Sequence, residues 1–248
     1  MLVGIIAFIS EYLDSGLGMG YGTALAPILI IMGYEPLQVV PAILISQLCT
    51  DIMTVLCHHR VGNVNFKASS PDFKIALLLG IVSSVGAVFS VLIAIQIPKW
   101  LLTLYIGLIV LAMGIIILIT IKRPLRFSWP KIAGISFLAS FNKGISGGGY
   151  GPLVMGGQII SGVGAKNAVG ITAFAEAATC LVGFIAYCVN GKFIDWQLVW
   201  KLTIPATLAV PFAVLTVKNI NPGSLKKIVG ILIVILGLIT LAKINFSG

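Results

Sequence analysis

The sequence predicts an all-α polytopic membrane protein made of two homologous repeats. Of its 248 residues, 58% are hydrophobic and 9% are charged, whereas a soluble domain carries about 25% charged residues. Apolar runs of about 20 residues recur along the chain, and each is long enough to cross a bilayer core of about 30 Å. The second half of the chain also repeats features of the first half at an offset of 129 residues.

The internal repeat defines the domain organisation. The offset aligns residues of matching type in the two halves: Tyr21 with Tyr150, Gly33 with Gly162, Gln47 with Glu176, Thr50 with Thr179 and Gly62 with Gly191. We therefore expect a first repeat over residues 1–122, a basic linker over 123–130 and a second repeat over 131–248, all within one transmembrane domain.

Each repeat is predicted to contain the same elements in the same order. An apolar segment interrupted by glycines comes first, over residues 2–33 and again over 131–162. Three uninterrupted helices follow in each repeat, over 37–58, 73–96 and 99–121, then over 166–189, 198–217 and 225–244. Short connections with basic residues and helix-breaking prolines separate them.

The path of the interrupted segment decides the topology. If its two arms cross the membrane in series, each repeat crosses four times and the repeats are parallel. If the arms return to the side from which they came, each repeat crosses three times and the repeats are inverted. The distribution of lysine and arginine slightly favours the second arrangement. It predicts a multi-pass protein of the cell membrane with residues 122–131 in the cytoplasm.

The two glycine-rich interruptions are the strongest functional signal. They read DSGLGMGYGT at 14–23 and NKGISGGGYGP at 142–152. Unpaired backbone groups are costly in hydrocarbon, so such breaks are tolerated where they line a site. Broken helices in inverted repeats are a recurring transporter design. Their exposed helix N-termini favour anions, and Lys143 adds a positive charge beside one break.

These features predict a site for a small inorganic or organic anion. The candidate substrate-binding residues are Asn142, Lys143, Gly144, Ser146, Gly147, Gly148, Gly149 and Tyr150 in the second break, Gly16, Gly18, Gly20 and Tyr21 in the first, and Gln47. Close helix packing is the alternative role for the glycines and for the two tyrosines. Lys143 can alternatively extend to a membrane interface.

The repeat places Asp14 opposite Lys143. If the two breaks meet, the two charges can pair without substrate, and an incoming anion competes with Asp14 for Lys143.

The second helix of each repeat carries further polar residues at helical spacing. They are Gln47, Thr50, Asp51, Thr54 and His58 in one half and Thr172, Glu176, Thr179, Gly183 and Tyr187 in the other. Such stripes indicate either the lining of a pathway or hydrogen bonds between helices. Glu176 and Asp51 are the candidate proton-coupling groups. His58 is either a proton relay or part of a basic helix boundary, and Glu11 can face the same cavity.

Other classes of protein are less well supported. The sequence contains no P-loop and no H-E-x-x-H motif, so we expect neither an ATPase nor a zinc protease. We expect no enzyme, cofactor or metal. An anion-selective channel and, more remotely, an intramembrane enzyme using Ser146 with Lys143 remain alternatives.

The net charge of +9 resides mostly in short connections, which implies membrane lipid and no nucleic acid as a partner. Monomer and homodimer are both open.

Three features together resemble one known family. They are the duplicated stretches GLGMGYG and GISGGGYGP, the turn into the second helix at Pro36 and Ala165, and the G-x-V-x-F run from Gly62 to Phe66. The chain resembles the sulfite exporter TauE/SafE family of membrane permeases. That resemblance implies transport of sulfite, sulfonates or related small anions, driven by an ion gradient. In the first break, Leu17, Met19 and the nearby Asp14 depart from the glycine-richer pattern.

Overall fold

A computed structural model describes residues 1–18, 20–119, 129–160, 163–216 and 222–242. Within these ranges the chain forms ten α-helices: α1 (Leu2–Leu17), α2 (Tyr21–Ile31), α3 (Pro36–Arg60), α4 (Pro71–Ala94), α5 (Lys99–Ile119), α6 (Trp129–Ser146), α7 (Tyr150–Ile160), α8 (Ala165–Val189), α9 (Trp196–Thr216) and α10 (Pro222–Ala242). The all-α prediction is confirmed for these ranges. The predicted linker 123–130 lies outside them except for its last two residues, which begin α6.

The helices break at the two glycine-rich stretches. The first break separates α1 from α2, and the second separates α6 from α7. Glycines at equivalent positions have a positive φ, which disfavours any residue with a Cβ: Gly18 and Gly147 at 61° and 73°, and Gly20 and Gly149 at 86° and 82°. The helices after each break also correspond, because α2 and α7 have 11 residues each and α3 and α8 have 25 each.

Local sequence signals explain where the long helices begin. Glu35 and Gln38 form a capping box before α3, and Pro36 occupies the first turn. Ser70 caps α4 by accepting a hydrogen bond from the Phe73 amide at 3.2 Å, with Pro71 next. Proline suits this position because the first amides of a helix have no intrahelical acceptor. The prolines that separate the predicted helices therefore start the helices that follow them.

Corresponding helices of the two halves pack antiparallel at the centre. A Cβ on Gly183 near the end of α8 would lie 3.2 Å from Leu44 near the start of α3. At the other end, a Cβ on Gly170 of α8 would lie 2.8 Å from Val64, just beyond α3. The same opposed pairing joins α5 to α10, through Gly107 with Leu241 and Leu111 with Gly237.

The second broken segment forms a helical hairpin. A Cβ on Gly149, at the start of α7, would lie 3.5 Å from Cβ of Asn142 near the end of α6. A Cβ on Gly157, farther along α7, would lie 3.1 Å from Ile135, which is earlier in α6. Thus α7 runs back along α6. Further contacts join α1 to α9, and α6 also packs against α4.

The distribution of polarity is that of a multi-pass membrane protein. Large apolar side chains such as Ile81, Val85 and Phe89 of α4 are exposed, whereas Gln47 and Lys143 have no exposed surface. In the described ranges, α3, α4, α8 and α9 each contain an apolar stretch long enough to cross a membrane. Exposed apolar surface of this kind suits a lipid environment.

Candidate substrate and ion site

The two glycine breaks cross in direct backbone contact. A Cβ on Gly22 would lie 1.6 Å from the carbonyl oxygen of Gly147, a separation that no side chain can occupy. A Cβ on Gly148 would lie 2.7 Å from the Thr23 backbone, and a Cβ on Gly151 would lie 2.8 Å from the Gly18 carbonyl oxygen. Glycine is therefore required here for backbone approach.

Lys143 lies beside this crossing and has no exposed surface. Its ammonium group donates a hydrogen bond to Glu176 Oε1 at 2.8 Å and another to Gln47 Oε1. The Gln47 amide then donates to Asp14 Oδ2 at 2.9 Å. Buried polar groups thus form a continuous chain from Glu176 through Lys143 and Gln47 to Asp14. The Lys143 side chain therefore ends inside the protein, against Glu176 and Gln47.

The partners of Asp14 are not the one expected from the sequence. Its carboxylate does not pair with Lys143, because the Gln47 side chain stands between the two groups. Asp14 Oδ1 instead accepts a hydrogen bond from the Gly20 amide at 2.6 Å, at the N-terminus of α2. The positive end of a helix dipole favours a negative charge in this place. The chain's own carboxylate therefore occupies one of the two helix N-termini predicted to attract anions.

Hydroxyl groups occupy the second break. Ser146 Oγ accepts a hydrogen bond from the Gly148 amide at 3.1 Å, and Thr23 Oγ1 accepts one from the Gly149 amide at 2.9 Å. Ser146 also donates to the Asn142 carbonyl at 2.8 Å. These hydroxyl oxygens therefore satisfy two backbone amides that precede α7.

Five other candidate residues of the two breaks contact neighbouring helices or are buried. A Cβ on Gly144 would lie 1.8 Å from Ser90 Oγ of α4. The Asn142 side chain accepts a hydrogen bond from the Tyr105 hydroxyl. Tyr21 and Tyr150 are fully buried, and their hydroxyl groups bond to neighbouring helices, to Ser46 at 3.0 Å and to Ser83 at 2.8 Å. Gly16 is buried in the last turn of α1.

A cavity of about 10 Å³ lies at the C-terminal end of α1, which is room for about one water molecule. We call it the acidic cavity, because four carboxylic side chains line it: Glu11, Asp14, Asp51 and Glu176. Ser15, Thr54 and Thr172 add hydroxyl groups to its wall. The structure thus brings Asp51 and Glu176, the two predicted proton-coupling carboxyls, to one cavity.

His58 lies beside the acidic cavity and caps α1. Its Nε2 atom lies 3.1 Å from the Ser15 carbonyl oxygen, and its Nδ1 atom lies 3.1 Å from the Asn63 amide nitrogen. Because a carbonyl only accepts, Nε2 carries the proton and Nδ1 accepts from Asn63. Ser15 also bonds to Thr54 at 2.8 Å. His58 therefore reaches the cavity wall through Ser15.

Some polar residues of the two predicted stripes bond within their own helix. Thr50 donates to the Gln47 carbonyl at 3.1 Å, and Thr179 donates to the Ala175 carbonyl at 2.8 Å. Tyr187 instead crosses between helices and donates to the Gly144 carbonyl at 2.9 Å. These threonines contribute to helix α3 and helix α8 rather than to the central polar chain.

Sequence reasoning missed Thr23 and Ser15 as members of the site, whereas Thr54 belongs to the polar stripe predicted for the first half. Thr23 directly follows the Gly-Tyr-Gly of the first break, and this adjacency was its only signal. Ser15 stands four residues after Glu11 on the same face of α1, and it donates to Glu11 Oε1 at 2.5 Å. A buried acid with a hydroxyl one turn away is a signal that could have found this pair.

The described ranges contain no group of three or more His, Cys, Asp or Glu side chains arranged to hold a metal ion. The four cysteines are free. Cys180 is buried one turn after Glu176, where it packs with Leu44 and Tyr187.

Comparisons with known proteins agree with this architecture. The family model for the sulfite exporter TauE/SafE matches residues 3–240. The chain is also 24% identical over 249 residues to the "probable membrane transporter protein YtnM" of Bacillus subtilis (strain 168), an alignment that covers 95% of this chain and 80% of that protein. The search of solved structures returned no significant match. Because the family match spans nearly the whole chain, this protein belongs to the sulfite exporter TauE/SafE family of membrane transporters.

Proposed function

We propose that the protein is a secondary active transporter of a small anion, namely sulfite, an organosulfonate or a related sulfur oxyanion. The anion binds at the crossing of the two breaks, where Lys143 compensates its charge. The observation that carries the proposal is the fully buried Lys143, held 2.8 Å from one carboxylate beside two glycine breaks. An ionisable group inside a membrane protein marks a functional site by default.

The Lys143–Glu176 pair supplies a mechanism for proton coupling. Removing the charge of one partner would leave the other buried and uncompensated, which is strongly unfavourable. A proton on Glu176 neutralises the partner of Lys143. A new negative charge must then arrive to compensate Lys143, and a small anion provides it. Proton and anion then bind together and leave together. Asp51, across the acidic cavity, is the next proton carrier, with His58 at the cavity wall.

The second glycine break completes the anion site. Its Gly148 and Gly149 amides now bond to the hydroxyls of Ser146 and Thr23. An oxyanion that displaces these hydroxyls accepts the same two hydrogen bonds and lies at the N-terminus of α7. Backbone amides at a helix N-terminus form an anion site suited to sulfur oxyanions.

The packing supports inverted repeats, residues 1–122 and 131–248. Antiparallel packing of α3 with α8 is what a two-fold axis in the membrane plane produces. The antiparallel pairing of α6 with α7 supports segments that return to the side from which they enter. Alternating access then rocks one repeat against the other. We also propose that the protein resides in the cell membrane with the linker 122–131 in the cytoplasm, an orientation that the positive-inside bias supports.

Flux measurements in proteoliposomes test this function. Purified protein receives labelled sulfite, sulfate, thiosulfate or a short sulfonate, with and without an imposed pH gradient. We expect saturable uptake of at least one sulfur oxyanion that the gradient drives, and we expect Lys99→Gln, at an exposed lysine, to behave like the wild type. Fast flux that neither saturates nor responds to the gradient would favour an anion channel. No flux of any anion through folded protein would overturn the proposal.

A further inference from the structure

We propose that the acidic cavity is a binding site for Na⁺, ligated by Glu11 and Asp51. The binding itself does not depend on the proposed anion transport. A coupling role for the bound ion rests on that proposed function.

Two oxygen atoms at the cavity have no partner in the part of the chain that the structure describes. They are Glu11 Oε2 and Asp51 Oδ2, and their residues are only 1% and 4% exposed. Glu11 belongs to α1 and Asp51 to α3, so the two oxygens approach one cavity from different helices. Buried polar atoms are nearly always partnered. A species bound in the cavity supplies the missing partner for both.

The chemistry of the cavity wall selects a hard monovalent cation. Its polar side chains are carboxyls and hydroxyls, so every side-chain ligand is oxygen. Such ligands suit hard cations. The volume of about 10 Å³ holds about one water-sized body. The two carboxylate oxygens that lack a partner among the described residues are too few free ligands for a divalent ion, which takes about six or more oxygens.

The helix that forms the cavity wall adds to the attraction for a cation. Glu11, Asp14, Ser15 and Gly18 all come from the last two turns of α1 and its C-cap. The C-terminal end of a helix carries partial negative charge. Half-helix C-termini coordinate coupling cations in other transporters with broken helices.

The surrounding charges make the site sensitive to pH. The titratable groups that face it are Glu11 and Asp14 from α1, Asp51 and His58 from α3, Lys143 from α6 and Glu176 from α8. Four carboxyls therefore face one lysine, and protons or a bound cation must compensate the excess negative charge. Na⁺ and protons compete for Glu11 and Asp51, so acid weakens Na⁺ binding.

The test measures Na⁺ binding to purified full-length protein without any sulfur anion. Thermal unfolding in NaCl is compared with unfolding in choline chloride at equal ionic strength, between about pH 5.5 and pH 8.5, and ²²Na⁺ binding is measured directly. We expect saturable stabilisation by Na⁺ that weakens as the pH falls. Glu11→Gln and Asp51→Asn should each weaken Na⁺ binding by at least about tenfold, because removing even an outer-shell partner of a metal site costs about 10–100-fold. Glu35→Gln, at an exposed glutamate, should bind Na⁺ like the wild type.

Three outcomes would overturn the site: no saturable ²²Na⁺ binding at any pH, unchanged binding in the Glu11→Gln/Asp51→Asn double variant, or stabilisation by Mg²⁺ or Ca²⁺ but not by Na⁺. The neutral isosteres remove buried charge, so they should fold, and size-exclusion chromatography checks this. Na⁺ binding in protein that transports no anion would keep this site and reject only the proposed transport.

Discussion

The two glycine breaks share one backbone geometry but carry opposite chemistry. Gly18 and Gly20 of the first have the left-handed φ of Gly147 and Gly149 in the second. Asp14, whose carboxylate caps α2, corresponds to Lys143, whose ammonium pairs with Glu176.

The surroundings of the two breaks have diverged as well. The first break borders the acidic cavity. At the equivalent place near the second, Glu11, Asp51 and Thr172 are replaced by Ser140, Cys180 and Ile43. Ile43 is fully buried, and its side chain fills the space beside Gly147. The duplicated backbone therefore borders an acidic cavity at its first break and holds a buried cation beside its second.

The largest effect should come from separating the two breaks. Gly22→Val places side-chain atoms where the Gly147 carbonyl lies 1.6 Å from the Cβ position, and backbone cannot yield as a side-chain tip can. We expect no folded monodisperse protein. Overpacking a core typically costs about 1–3 kcal/mol, and the cost should be larger here because backbone, not a movable side chain, blocks the space. Fluorescence-detected size-exclusion chromatography measures this.

The matched control is Gly134→Ala in α6. Nothing lies within 4 Å of the Cβ position at Gly134, so alanine should be neutral or stabilise the helix by up to about 1 kcal/mol. If Gly22→Val folds and transports like Gly134→Ala, the two breaks do not touch in the working protein.

The next largest effect concerns the cation of the second half. Lys143→Met leaves Glu176 buried without its partner, which should reduce the free energy of unfolding by about 3–5 kcal/mol. Adding Glu176→Gln should restore most of the stability, because the unpaired charge is then absent. Thermal unfolding of both variants measures the difference. A single Lys143→Met variant as stable as the wild type would mean that the pair is not formed.

A smaller effect should follow from the charge of the first half. Asp14→Asn keeps an acceptor for the Gly20 amide but removes the negative charge at the α2 N-terminus and disturbs the bond from Gln47. We expect sulfite transport to change by about tenfold, the size of effect that one charge-assisted hydrogen bond produces. If both substrate affinity and transport rate were unchanged, Asp14 would have no part in the anion cycle.

The smallest effect should come from the two equivalent tyrosines. Tyr21→Phe and Tyr150→Phe each remove one buried hydroxyl that bonds to a serine. Each should lower stability by about 1 kcal/mol and leave the transport rate within about twofold of the wild type. Loss of transport in Tyr150→Phe alone would show that its hydroxyl contacts the substrate and that the two halves differ there too.

Repetition and hydropathy were enough to predict the helices, the two breaks and the corresponding positions of Asp14 and Lys143. The exact partners could not be predicted, because they depend on how helices cross. Nothing in the sequence places the Gln47 amide between Asp14 and Lys143, or Thr23 against the Gly149 amide 126 residues away. The acidic cavity likewise draws its walls from α1, α3 and α8, so the sequence could suggest Glu11 as a lining residue but not where it lies relative to Asp51.

The central claim is that an anion binds where Lys143 is buried, and labelled-sulfite counterflow tests it most directly. Counterflow needs binding and exchange but no ion gradient, so it isolates the site from the coupling question. The comparison uses the Lys143→Met/Glu176→Gln double variant, which removes both charges of the pair and should fold. The account predicts that the wild type accumulates label and the folded double variant does not. Counterflow by the double variant at the wild-type rate would contradict it.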